Sequence, residues 1–143
     1  AKAIVNNRPI NTTEELAEVI RNNVPESYRR KGNPCRKTFQ AIRIEVNNEI
    51  KILEDSIKDA FDLLNPGGRM CIITFHSLED RIVKNVFKEL TSESELAKKL
   101  PVVPIELQAK AKLITKKPIV PTDEELEVNN RSRSAKLRII EKL

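Results

Sequence analysis

Glycine is scarce. The 143 residues contain three, Gly32, Gly67 and Gly68, and no G-x-G pattern follows any apolar run. Such a turn lets backbone close on a nucleotide, so this chain by itself carries no nucleotide-cofactor loop. Aromatic residues make up 3%, with no Trp and one Tyr, which argues against a base-stacking aromatic platform as the main way of binding nucleic acid. The two cysteines, Cys35 and Cys71, match no metal spacing, and His76 is the single histidine. No Cys/His/carboxylate cluster for a metal results, and no metal is expected. Both thiols are expected to be reduced in a cytoplasmic protein, Cys71 buried in an apolar strand and Cys35 in a basic surface loop. No apolar run approaches the roughly 18 residues of a membrane span, so neither a membrane partner nor a signal peptide is expected. The chain does not start with Met, so Ala1 is not expected to be the natural start.

The densest local signal runs from Asn65 to Arg81. Asn65-Pro66-Gly67-Gly68 ends whatever precedes it, because proline cannot continue a helix and glycine supplies positive φ. Met70 to Phe75 follow, with Thr74 their one polar member. A run so short and apolar predicts a strand buried on both faces, as in a parallel sheet. Ser77, with Asp80 three residues on, predicts a helix capped by Ser77 and carrying an acid in its first turn. Strand, polar tip and helix are half of a βαβ unit, so the fold class is α/β. In open α/β sheets ligands bind at the carboxyl ends of strands, which makes His76, Ser77, Glu79 and Asp80 a candidate site.

Charge is unevenly spread, which says more than the formal net charge of +5. Arg29 to Ile44 holds six basic residues and no acid, whereas Glu45 to Asp62 holds six acids against Lys51 and Lys58. Lys110 to Pro121 and Arg131 to Arg138 each hold four basic residues and no acid. Basic clusters separated by an acidic helix suggest an anionic partner, although solvated lysine and arginine give the same pattern.

Taken in order, Ala1 to Asn7 reads as the tail of a helix. Thr12 and Glu15 have capping-box spacing, and Leu16, Val19 and Ile20 form the apolar face of a helix that ends before Pro25. Arg29 to Arg36 is a basic loop. Phe39, Ile42, Val46, Ile50, Leu53, Ile57, Phe61 and Leu64 then step by three or four, predicting one helix from Lys37 to Leu64, roughly 40 Å long at ~1.5 Å per residue. Arg36, Lys37 and Arg43 near its N-terminus oppose the helix dipole, so a phosphate-binding reading is preferred there. After the central strand, Ile82, Val83, Val86, Phe87 and Leu90 mark a helix packed on the sheet. Ser92 to Leu100 predicts a further short helix, Pro101 and Pro104 an irregular connection, and Lys112 to Lys117 a strand ended by Pro118 and Pro121. Thr122 to Glu125 opens a short helix, and Asn129 to Ser134 is a polar basic turn. Ala135, Leu137 and Ile139 alternate with Lys136 and Arg138, so the chain ends in a strand.

The catalytic candidates are His76 and Ser77. A lone His at a strand end more commonly serves as a structural hydrogen-bond partner, and Ser77 lacks a triad and reads as a cap. Glu79 and Asp80 could form a carboxylate pair, but acids in a first helical turn also suit the dipole, and that reading is preferred. Asn33-Pro34-Cys35-Arg36 only superficially resembles the Asp/Asn-Pro-Pro-aromatic motif of amino methyltransferases and is not taken as one.

Three separated stretches carry a family resemblance: Thr74-Phe-His-Ser-Leu-Glu-Asp-Arg-Ile-Val-Lys84; Arg36-Lys-Thr-Phe-Gln-Ala-Ile-Arg43; and Thr115-Lys-Lys-Pro-Ile-Val-Pro121 with Asn130-Arg-Ser-Arg-Ser-Ala-Lys-Leu-Arg138. In this order they resemble the bacterial 16S ribosomal RNA (cytosine-N4)-methyltransferase family over nearly the whole chain. The family pattern has His where Asn33 stands and Ala where Cys35 stands, which gives Asn33 no inherited catalytic role. The resemblance implies the C-terminal part of a longer enzyme, with residues 1–35 the end of a helical substrate-recognition insertion. Residues 36–143 would be the C-terminal part of a Rossmann-like class I methyltransferase domain. The Met70–Phe75 strand would be the fifth of seven, and two later strands would complete the sheet.

The cofactor implied is S-adenosylmethionine, bound mainly by residues before Ala1, and the reaction is methyl transfer to an exocyclic cytosine amine, governed by positioning without a metal. The RNA-facing residues implied are Arg36, Lys37, Arg43, Lys116, Lys117, Arg131 and Arg133, contacting phosphates. The implied partners are 16S rRNA in the small ribosomal subunit and the missing N-terminal half, with a homodimer as an alternative way to cover a cut sheet. This chain alone is expected to be inactive. Composition fits a non-catalytic basic RNA- or ribosome-binding module equally well, and a protein–protein adaptor with an acidic partner is a third reading.

Overall fold

A computed structural model describes residues 1–30, 32–93, 104 and 107–143. All but Ser92 and Glu93 of the expected helix at Ser92–Leu100, and the start of the connection at Pro101, lie outside the described residues. The chain forms two compact units, Ala1–Glu49 and Ile50–Leu143.

The first unit is helical: α1 (Lys2–Asn6), α2 (Thr13–Asn22), α3 (Glu26–Arg29) and α4 (Arg36–Asn47). The predicted capping box of α2 is present. Thr12 Oγ1 accepts from Glu15 N at 3.1 Å, and Glu15 Oε2 accepts from Asn11 N at 2.8 Å. Ala17, Ile20 and Cys35 form its small core, with Ile4, Leu16, Val24 and Phe39 packed around them. Cys35 therefore differs from the expected surface thiol. It is only 4% exposed, and its Sγ donates to Ala17 O.

The single long helix predicted from Lys37 to Leu64 is interrupted. Asn48 adopts a left-handed conformation with φ 52°, and α5 begins anew at Glu49–Asp62. Asn enters this region more cheaply than other residues bearing a Cβ. The Asn47-Asn48 pair is the stop signal that continuous apolar spacing concealed.

The second unit contains α5, β1 (Arg69–Thr74), α6 (Ser77–Thr91), β2 (Ala111–Leu113), α7 (Asp123–Val128), a 3-10 helix (Asn130–Ser134) and β3 (Lys136–Lys142). The strand order is β1-β3-β2, and β3 runs antiparallel to both neighbours. This corrects the parallel pairing expected of the apolar run: among the described residues β1 pairs with β3 alone, and antiparallel. The Gly67–Gly68 turn sets its register. Gly67 (φ 78°) donates to Lys142 O at 2.8 Å, and Gly68 O accepts from Lys142 N at 2.9 Å. A Cβ on Gly68 would stand 2.8 Å from Asn65 O, so that turn tolerates no larger residue without shifting.

Among the described residues, helices cover one face of the sheet. Met70, Ile72 and Thr74 share that face with Lys136, Arg138, Ile140 and Lys142, opposite one another in the register. Ile57, Phe61, Val83, Val86 and Phe87 pack there with Met70, Ala111 and Ile140. Burying each large apolar side chain contributes about 1.5–3 kcal/mol. Lys142 Nζ donates to the terminal carbonyls of α5, Phe61 O at 3.2 Å and Asp62 O at 2.9 Å, and so completes that helix end. The opposite face, with Cys71, Ile73, Leu137 and Ile139, has no helix over it among the described residues. Ile73 is 58% exposed and Cys71 is exposed, so the expectation of a strand buried on both faces, with Cys71 inside, does not hold for this chain. The strand expected at Lys112–Lys117 is shorter and earlier. After Leu113 the backbone bends, with Ile114 and Thr115 both donating to Ile139 O, and only Ile119 pairs again, with Leu137.

Candidate nucleic-acid interface

The tip of β1 is built by a capping box, but not the one expected. The N-cap of α6 is His76, and Ser77 is the first helical residue, exposed and without a capping role. His76 Nδ1 accepts from Glu79 N at 3.3 Å, while Glu79 Oε2 accepts from Phe75 N at 2.9 Å and His76 N at 3.2 Å. Nδ1 can accept only when unprotonated, so Nε2 carries the imidazole proton. Nε2 lies 3.1 Å from Glu79 Oε1, but off the line a hydrogen bond requires, and is buried without a hydrogen-bond partner. Glu79 is thus a backbone-binding acid rather than half of a carboxylate pair.

Asp80 is engaged elsewhere. It is buried at 9% exposure and accepts from Arg138 Nε at 2.8 Å, Arg138 Nη2 at 3.3 Å and Lys136 Nζ at 3.2 Å. The Arg138 guanidinium holds its carboxyl below the usual carboxylate range; burial opposes this, and Lys136 adds to it. Sequence reasoning missed this cluster. The signal was parity: Lys136 and Arg138 fall on the same face as Ile140, so cations on that face need a buried anion. On the uncovered face Glu141 bridges Lys112 at 2.6 Å and Arg69 at 2.8 Å, and these cations, Lys112 first, lower its carboxyl pKa.

The residues singled out for RNA fall into two groups. Arg36, Lys37 and Arg43 lie on α4 in the first unit and are exposed. Arg43 is held by Glu49, Nε to Oε1 at 2.9 Å and Nη2 to Oε2 at 3.0 Å, so it is committed within the protein. Lys116, Lys117, Arg131 and Arg133 lie in the second unit and are exposed. Register brings these four toward one end of the sheet, because Thr74 pairs with Lys136 and Ile119 with Leu137. His76 and Ser77, two and three residues beyond Thr74, stand at that same end. Within the 3-10 helix Ser132 is buried, and its Oγ donates to Asn129 O at 2.8 Å. Arg131 and Arg133 flank it on the outside, and neither forms an ion pair with a described residue. No group of His, Cys, Asp and Glu among the described residues could hold a metal ion, and no described helix is long and apolar enough to cross a membrane.

A model of the MraW methylase family matches residues 1–143. The chain belongs to this family. The "Ribosomal RNA small subunit methyltransferase H" of Clostridioides difficile (strain 630) is 54% identical over 138 residues, covering 96% of this chain and 44% of that protein. A protein of the same name from Exiguobacterium sibiricum is 53% identical over 136 residues, covering 94% of this chain and 44% of its own length. The chain therefore spans less than half the length of these MraW-family relatives. All three stretches that carried the resemblance lie inside the matched region.

Proposed function

We propose that this chain is the C-terminal part of an S-adenosylmethionine-dependent enzyme that methylates the N4 amine of a cytosine in 16S rRNA. The observation that carries this reading is the 54% identity, over 96% of the chain, to a relative named as a small-subunit ribosomal RNA methyltransferase. The basic end of the sheet supports it, because exposed Lys and Arg beside a strand tip suit phosphate contacts that set register on an RNA. Cytosine N4 as the target rests on the motif resemblance.

The residues present do not fit the cofactor. The Gly67–Gly68 turn precedes β1 and is spent on Lys142, and no glycine-rich loop follows a strand. The cofactor's site is therefore assigned to sequence outside these residues. This chain would supply substrate binding: Arg36 and Lys37 at the start of α4, just after a recognition insertion that ends at residue 35, and Lys116, Lys117, Arg131 and Arg133 from the sheet unit, while Arg43 is held by Glu49. His76 would hold the β1 tip, and Ser77, exposed beside it, would be the side chain able to meet substrate there. The three strands would extend a larger sheet through the free edge of β1. Its missing partner would be the N-terminal half of the same enzyme or a second copy, acting in the cytoplasm on the small ribosomal subunit.

The test is methyl transfer. The natural gene product, incubated with labelled S-adenosylmethionine and small ribosomal subunits, should yield N4-methylated cytidine on nucleoside analysis, whereas residues 1–143 alone should yield none. RNA binding without any methylated nucleoside from the natural gene product would overturn the enzyme reading in favour of a non-catalytic binding module.

A further inference from the structure

The buried charge cluster has a place in the fold that its role in stability does not explain. Asp80 sits in the first turn of α6, a turn fixed from the other side by the His76 capping box. Its carboxylate grips Lys136 and Arg138, the first and third residues of β3. Immediately before β3 stands the 3-10 helix that carries Arg131 and Arg133 on its outer side. Ala135 N donates to Ser132 O at 2.7 Å, and Asn129 N donates to Glu125 O at 2.7 Å. The 3-10 helix is thus tied at one end to α7 and at the other to the two cations that Asp80 holds.

We propose that Asp80 is a positioning residue for RNA binding: by anchoring Lys136 and Arg138 it sets where Arg131 and Arg133 meet phosphates. This rests on the RNA-binding reading above. Arg138 is itself turned inward, its side chain 13% exposed, so it serves as an anchor rather than as a contact.

Charge and geometry predict opposite signs, which makes the inference testable. Asp80→Asn removes a negative charge from a basic region, and electrostatics alone would tighten binding to an anion. Positioning predicts that binding weakens, by about 2- to 150-fold, the range usual for coupled neighbours. The measurement is filter binding of transcribed 16S rRNA by the natural gene product at fixed salt, below the melting temperature of each variant. Asp80→Asn should weaken binding in the wild-type background and have little further effect in an Arg131→Ala/Arg133→Ala background, because it acts through those arginines. Asp80→Glu keeps the charge, moves the carboxylate by one methylene and should weaken binding in the same direction; it decides the matter if Asp80→Asn does not fold.

Unchanged or tighter binding by folded Asp80→Asn, or by Asp80→Glu where the Asn variant fails, would overturn the inference, as would full additivity with the arginine variants. If the wild-type protein binds no 16S rRNA, the RNA reading falls and this inference with it. If the wild type binds and loses affinity on Arg131→Ala/Arg133→Ala but not on the Asp80 changes, only this inference fails.

Discussion

His76 and Asp80 stand four residues apart at the start of α6 and do different work. His76 spends its Nδ1 lone pair on a backbone N–H that the helix would otherwise leave unsatisfied. Ala at this position should cost about 1 kcal/mol, and Asn, which caps by the same geometry, only a few tenths. Urea denaturation of the two variants checks this, and equal losses would mean that capping is not what His76 contributes. Asp80 should dominate the pH dependence of folding in this region. Its folded carboxyl lies below the ordinary value of 3.8. The stabilisation is therefore complete above that value and is lost as pH falls through the folded one. Breaking such a buried pair costs on the order of 3 kcal/mol. The stability gap between wild type and Asp80→Asn should be widest near neutral pH and close as the pH drops below 3.8. A gap that persisted in acid would rule the carboxylate out as its source.

Helices were legible in the sequence where a cap stood out, with an apolar face behind it at Thr12 for α2 and on the cap alone at Thr122 for α7, whose hydroxyl accepts from Glu125 N. Ile82, Val83, Val86, Phe87 and Leu90 likewise pack on the sheet as expected. Where the chain had to leave regular geometry, the pattern misled. Asn48 is one case: its apolar neighbours keep step across the break, and only the polar pair Asn47-Asn48 marks it. Asn48→Gly should be neutral or slightly stabilising, whereas Asn48→Ala should destabilise by about 1 kcal/mol, because Ala pays for the left-handed backbone that Gly enters freely. Thermal melts decide this, and equal behaviour would mean that α4 and α5 join into one helix in the Ala variant. Strand direction was the other miss. A short apolar run reports burial, not which strand pairs with it, and for β1 the partner is a strand 62 or more residues later in the chain. The RNA candidates were legible as charge runs, but the Asp80 anchor was not, because it joins residues 56 and 58 apart.

At the scale of the whole molecule, the sheet has, among the described residues, one clothed face and one bare face, and β1 has an unpaired edge. Exposed apolar surface beside an open edge invites another chain. Residues 1–143 on their own should self-associate in sedimentation velocity, and a monodisperse monomer in dilute solution would count against this. The two cysteines report the same property independently. Cys71 on the bare face should react with a maleimide, more slowly as concentration rises and the face is covered. Cys35, buried in the helical unit, should stay unlabelled until the protein unfolds. Equal labelling of both thiols would mean that the helical unit opens readily.

The central strand of this sheet is also the latest of the three in the sequence. Among the described residues, neither β1 nor β2 bonds to the other, and every ladder bond that either makes goes to β3 (Lys136–Lys142). During synthesis on the ribosome, the bonds that β1 and β2 make to β3 must therefore wait until residues 136–142 emerge. Loss of β3 would leave β1 and β2 with no strand to pair with among the described residues. The seven residues of β3 are thus a keystone: both neighbouring strands hang on it and not on each other.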